Sequence, residues 1–401
     1  MTNISADALR QQVVDLLPYT LQVYEMLHQN PEPSGEERQT AAFIRGELEA
    51  LGLAWEPVLD HGTLALLDTN RPGRTLLLRA DIDALPVQED DCNLTGKKPL
   101  LSQRPGVCHA CGHDGHTATL LTVARILVAL KEQLCGKVYL YFEQGEERLM
   151  ASAVNAQLPA RLALDAAYAI HYYADMPCGR ISIEKGPRMS GVYGFEYTIQ
   201  GKGGHSSRPD QAKNPLLCAV KIAQAIDGLS MLEAPPGEFA VFSLGMLDAG
   251  TQVNVIPDTA KLAGTIRYFE PDVGDAMVQK LHRTVEAHLA YAGCEATGLV
   301  EMIAPPVVND AALSTFASKA IAQVIGDEAV SGGPRWMGSE SFGSITANLP
   351  SIFAFVGAAN PEKGCGAAHH NPKFQMDTDA LELGVLSGLA FATRFLNGIE
   401  D

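Results

Sequence analysis

The stretch His109-Ala110-Cys111-Gly112-His113-Asp114-Gly115-His116 runs straight into an apolar segment, residues 117–130, and its setting decides the fold. That segment reads as a helix, and short apolar runs of buried-strand character flank it, residues 75–80 before and 138–142 after. Further runs of this kind lie at 63–67, 166–170 and 351–356. Near-continuous apolar strands alternating with helices predict an α/β layer with both faces of the sheet covered.

In such sheets the reactive groups gather where strands end and loops begin. Asp81 and Asp83 follow the second run, Glu146 and Glu147 the third, and His171 ends the fourth. The opening stretch adds a thiol and three imidazoles. Cys and His bind a borderline-soft divalent metal such as zinc, and a Cys-x-His spacing can aim two donors at one ion, with Gly112 letting the backbone approach. Each piece has a plainer reading: a satisfied turn for the Cys/His cluster, a solvated acidic loop for the glutamates, a core histidine for His171, a polar turn for His369-His370. Cys108 to Cys111 also spells Cys-x-x-Cys, but no second pair exists to complete a four-thiolate site.

Upstream, residues 19–53 read as helix, turn, helix, with Ser34 and Glu37 as a capping box for the second helix and Gly52 closing it. Past Pro187 the texture changes. Strand-like segments at 192–199, 239–247, 261–268 and 296–303, with helices at 214–229 and 273–292, give the order of a ferredoxin-like α+β unit. Pro305-Pro306 marks its exit. The chain then returns to helix (310–325), strand (351–356), the loop 364–374 and a last helix (379–396). The expected organisation is a first domain from 1–187 and 305–401 interrupted by an insert at 188–304.

The 401 residues are too many for one ordinary core. Lys plus Arg number 30 against 47 Asp plus Glu, and the net charge of −17 disfavours nucleic acid and anionic membranes. No window approaches a membrane span and the N-terminal residues lack a secretory pattern. The eight cysteines are scattered, which points to a reducing cytoplasm.

A set of landmarks runs the length of the chain. They are Arg79-Ala80-Asp81-Ile82-Asp83-Ala84-Leu85-Pro86, His109 to Asp114, Glu146-Glu147, Ala169-Ile170-His171, Gly203-Gly204-His205, Asn254 to Asp258, Gly264-Thr265-Ile266-Arg267, Met337 to Glu340 and His370-Asn371-Pro372. In this order they resemble the aminoacylase and glutamate carboxypeptidase superfamily of metal-dependent hydrolases, and within it the amidohydrolase branch of hippurate and indole-acetyl-amino-acid hydrolases. The resemblance implies a mixed-sheet α/β catalytic domain with an inserted ferredoxin-like lid and dimerisation domain. It implies that Cys111, His113, Glu147, His171 and His370 hold two divalent metal ions per subunit, zinc or manganese foremost and cobalt as a substitute. Glu146 is then the general base and acid, and His205 stabilises the oxyanion, reaching the site of a neighbouring subunit in a homodimer. Asn254 and Arg267 contact the substrate, the guanidinium suiting a carboxylate.

The implied activity is cleavage of an N-acyl amino acid or related small amide to a carboxylate and an amine. The alternatives are a dipeptidase or carboxypeptidase on the same scaffold, or a catalytically silent protein that binds a small acid. The chain departs from the family pattern around the paired glutamates (Glu143-Gln144-Gly145 before, Arg148-Leu149-Met150 after) and at Ser341, which bears on the substrate pocket. Within the opening stretch, Asp114 is expected to steer His113 as an outer partner, Cys108 and His109 to pack or to support the ligands from behind, and His116 to start the following helix.

Overall fold

The computed structural model describes residues 4–232 and 237–398, so the expected domain limits at residues 1 and 401 lie outside the described residues. The chain divides into two compact units. One comprises Met1–Gly186, Val308–Pro334 and Ser344–Asp401, the other Pro187–Val307 with Arg335–Gly343.

The first unit is built on a seven-stranded mixed sheet. Its strands lie in the order Ala54–Val58, Gly62–Asp68, Lys137–Glu143, Thr75–Asp81, Ala166–Pro177, Ser351–Ala359 and Ile181–Ser182. The four from Lys137–Glu143 to Ser351–Ala359 run parallel to one another, and the flanking strands pair antiparallel. Helices Ala6–Gln29, His113–Ala129 and Ala380–Asn397 pack on one another, and the latter two on the sheet. The central strands Thr75–Asp81 and Ser351–Ala359 are buried almost end to end, as parallel strands covered on both sides must be.

Register sets up the chemistry. Asp81 pairs with Glu143 across the central parallel strands, so the loops carrying Asp83 and Glu146-Glu147 leave the sheet side by side. The fourth strand outruns its expected end at Ile170 and continues to Pro177, because Tyr172 and Tyr173 remain paired with Val356 and Gly357. His171 therefore lies within a strand, opposite Phe355, and not at its end. Ala54–Val58 carries no strand signal in the sequence because Pro57 interrupts it; a proline is tolerated there because the strand is at the sheet edge.

The second unit has the strands Gly191–Gln200, Ala240–Ala249, Thr259–Tyr268 and Glu295–Ala304, with helices Pro215–Leu232 and Pro271–Ala292 between them. All sheet pairs are antiparallel, with Thr259–Tyr268 and Gly191–Gln200 in the middle, which is the ferredoxin-like arrangement. Its own core gathers Ile199, Ile222, Leu262, Ile266, Met277 and Leu281. Residues 335–343 fall with this unit, since the Trp336 N–H donates to Arg188 O and Arg267 Nη1 to Met337 O. Among the described residues no helix is long and apolar enough to cross a membrane.

Candidate metal centre

Two glycines turn the chain where the site is assembled. Gly112 has φ +91 and stands immediately before helix His113–Ala129, so the backbone reverses between Cys111 and His113. Nothing comes within 3.6 Å of where its Cβ would be, so the left-handed backbone is what calls for glycine here. Gly145, with φ +66, ends the strand before Glu146 and opens a short 3-10 turn, Glu146–Arg148. Adjacent residues of a strand would face opposite ways; on this turn both glutamates join the same cluster.

The expected donors of the first unit come together in three overlapping groups: Cys111, His113 and His171; Cys111, Glu147 and His370; and His113, Glu146 and Glu147. Within each group the ligating atoms lie within 4.8 Å of one another. Cys111 Sγ is 3.6 Å from His171 Nε2, and Glu147 Oε1 is 3.2 Å from His370 Nε2 and 3.8 Å from His113 Nε2. His113 Nε2 and Glu147 Oε1 are buried without a hydrogen-bond partner. Orphaned buried polar atoms are costly, and a divalent cation would satisfy both. The mix of thiolate, imidazole and carboxylate fits such an ion.

The ring orientations agree with that fit. His171 donates from Nδ1 to Tyr172 O at 2.8 Å, and His113 Nδ1 faces Asp83 Oδ1 at 3.0 Å, so both turn Nε2 inward. Asp83 Oδ2 accepts from the Ser34 hydroxyl (2.6 Å) and the Glu147 N–H (3.1 Å), so one carboxylate grips donors on two elements. Ser34 is thus engaged at the site and is not the expected cap. Helix Arg38–Ala50 starts without a side-chain cap at Glu37, and Glu32 accepts from the Gln39 and Thr40 N–H groups instead. Sequence reading missed Ser34, whose one signal was its place in a Pro-x-Pro-Ser-Gly turn.

Three other members of the motifs are fasteners. His116 sits 2.5 Å from Asp81 Oδ1 and accepts the Tyr172 N–H on Nε2, tying helix to sheet. His369 Nε2 accepts the Ala174 N–H, leaving His370 as the histidine that reaches Glu147. Asp114 does not steer His113; its Oδ2 lies 2.7 Å from His28 Nδ1, since successive helical residues diverge around the axis. His109 packs as expected, buried, with burial pushing its imidazole down to about 4.

Charge around the cluster favours a cation. Burial, then Glu147, Glu146 and Asp81, hold the Cys111 thiol well above its ordinary range. Burial alone would depress His113, but Asp81, Asp83 and Glu147 carry it up to about 10. His171 is pushed far down by burial and by His116 and His369.

Glu37 supports the turn below the glutamates: its Oε1 accepts the Gly145 N–H at 2.7 Å while Oε2 is buried without a partner. Burial raises its carboxyl to about 7. A folded-state value above the unfolded one means the native state holds the proton more tightly, so stability present near pH 4.5 is lost as pH rises through 7. Glu37→Gln is neutral throughout. Its melting temperature relative to wild type is expected to climb between about pH 5 and 8, by the equivalent of ~2–3 kcal/mol. A difference that stays flat with pH would contradict this assignment.

The remaining expected residues belong to the second unit. His205 pairs with Val255 in a two-residue ladder, and the Ser206 N–H donates to Asn254 O. The Ser207 N–H donates to His205 Nδ1 (3.2 Å), so the neutral ring carries its proton on Nε2. Arg267 Nη1 is bonded to Met337 O (2.9 Å) and the Ser339 hydroxyl (3.1 Å).

A mixed α/β unit bearing a buried Cys/His/Glu cluster, interrupted by a ferredoxin-like insert, is the architecture of a metallohydrolase. The model of Peptidase family M20/M25/M40 matches residues 77–394, most of the chain, which belongs to that family and is a metal-dependent hydrolase of amide bonds. It is 32% identical over 400 residues to thermostable carboxypeptidase 2 of Saccharolobus solfataricus, covering 98% of this chain and 99% of that protein. It is 33% identical over 359 residues to an N-acetylcysteine deacetylase of Bacillus subtilis (88% and 91% covered). Among solved structures, a dinuclear metal binding peptidase of the M20 family from Bacillus subtilis superposes with a TM-score of 0.83 at 28% identity, over 96% of this chain and 100% of that one.

Proposed function

We propose that the chain hydrolyses N-acyl amino acids, with Cys111, His113, Glu147, His171 and His370 holding a pair of divalent ions, zinc or manganese foremost. The observation that carries this reading is the overlap of three donor groups, Cys111, His113 and Glu147 each belonging to two of them, with His113 Nε2 and Glu147 Oε1 buried and making no hydrogen bond. Bound there, the ions would polarise the amide carbonyl and acidify water. Glu146, buried beside Glu147, takes the proton of the attacking water and returns it to the amide nitrogen as the C–N bond breaks. His205, its ring proton on Nε2, supplies a donor for the oxyanion at the site of a neighbouring subunit in a homodimer. Asn254 and Arg267 contact the substrate, the guanidinium meeting its carboxylate.

A second reading, a carboxypeptidase or dipeptidase, is favoured by the likeness to thermostable carboxypeptidase 2. Side-by-side kcat/KM values separate the two. N-acetyl and N-benzoyl amino acids are expected to exceed free dipeptides by about tenfold or more. The reverse order would transfer the assignment to the second reading.

A further inference from the structure

Beneath the metal centre runs a line of four buried ionisable side chains that the reaction does not use. Asp114, in the first turn of helix His113–Ala129, places Oδ2 2.7 Å from His28 Nδ1. His28 Nε2 is 3.2 Å from Glu89 Oε1, and that same oxygen accepts from Lys98 Nζ at 2.8 Å. Lys98 Nζ also donates to Pro372 O at 3.0 Å. The side chains are between 1% and 6% exposed, so each charge depends on its neighbours.

The other oxygen of Asp114 accepts the Gly115 N–H and the other oxygen of Glu89 the Ser102 N–H. Burial alone would depress the His28 imidazole, but Asp114 and Glu89 on its two nitrogens carry it up to about 9, so near neutral pH it is an imidazolium that donates to both. The line reads minus, plus, minus, plus, and ends on a backbone carbonyl two residues past His370. Every member is satisfied, and removing one strands a charge in the interior.

Its two ends are what give it meaning. One is the helix turn that follows Cys111 and carries His113; the other is the loop that carries His370. His370 itself is half exposed, and its backbone is left-handed (φ +64), a conformation that a non-glycine residue keeps only when its surroundings hold it. Other restraints on this loop include the His370 N–H to Ala110 O, the Ala174 N–H to His369 Nε2, and the Asp90 N–H to the same Pro372 O that Lys98 grips.

We propose that Lys98 and His28 are positioning residues that hold the His370 loop in register with the Cys111–His113 turn, and so fix how tightly an ion is bound by the group of Cys111, Glu147 and His370. The inference rests on the reading of His370 as a ligand. Neither residue touches a donor, so both act through Pro372 and Asp114.

The test uses the full chain stripped of metal and titrated calorimetrically with Zn²⁺ and, separately, with Mn²⁺. Lys98→Met keeps the stem and removes the ammonium; Glu89→Gln keeps shape and breaks the alternation of charge, and serves if the first variant does not fold. Each is expected to weaken one of two binding steps by about tenfold or more, to lower kcat and to leave KM near wild type. Folded variants that bind both ions with wild-type affinity would overturn the proposal, and so would a lowered melting temperature with unchanged ion binding, which marks a purely structural role. His370→Ala serves as the reference: if it too binds both ions normally, the ligand reading beneath the proposal fails, which is a separate result.

Discussion

Glu146→Gln is expected to keep the fold and the metal content while losing ~10²–10⁴-fold in kcat, with KM little changed. The glutamine has the same shape and stays on the turn that Gly145 starts, so Cys111, His113, Glu147, His171 and His370 are untouched. What it lacks is a carboxylate able to take a proton from water and pass it on. An effect on kcat and kcat/KM alike, with unchanged ion content, is the signature of a group that works in the transition state. Undiminished hydrolysis by this variant would remove Glu146 from the mechanism.

Cys111→Ala should do its damage one step earlier. Its sulfur is common to two of the donor groups, so its loss weakens both groups at once. In the metal-free protein the thiol is neutral, held well above its ordinary range by burial and by the nearby carboxylates, and truncating it costs only the packing of one small side chain, roughly 1 kcal/mol. The metal-free melting temperature is therefore expected to stay within a few degrees of wild type. Wild type should gain stability as Zn²⁺ is added, following the linkage between ligand and folding, whereas the variant should gain little. Its ion affinity is expected to fall by about a hundredfold or more and its turnover below detection. A variant that is stabilised by Zn²⁺ as strongly as wild type would contradict the role given to Cys111.

The same residues show how far the sequence could be read. The sheet and the ferredoxin-like insert were legible because apolar runs and helical spacing are local signals, and both emerge in the structure with ends shifted by a few residues. The overrun past Ile170 was not, since it depends on pairing with a strand that lies far along the chain. The five expected donors and the base Glu146 of the first unit come together. Their outer partners were harder. Ser34 looked like a helix cap because a capping box is defined by spacing alone, while its actual partner, Asp83, is 49 positions away. Asp114 was assigned to its sequence neighbour His113, yet helical geometry sends it to His28, 86 residues back. Lys98 had no signal at all: a lysine in a polar loop gives no hint of being buried between a carboxylate and a distant carbonyl.

If one chain holds two divalent ions on Cys111, His113, Glu147, His171 and His370, the metal stoichiometry will show it in protein stripped with chelator, reloaded with Zn²⁺ or Mn²⁺, and measured by elemental analysis after removal of free ion. Two ions per chain are expected, with hydrolysis returning in step with them. No bound ion under any loading condition, or activity that survives complete stripping, would contradict this.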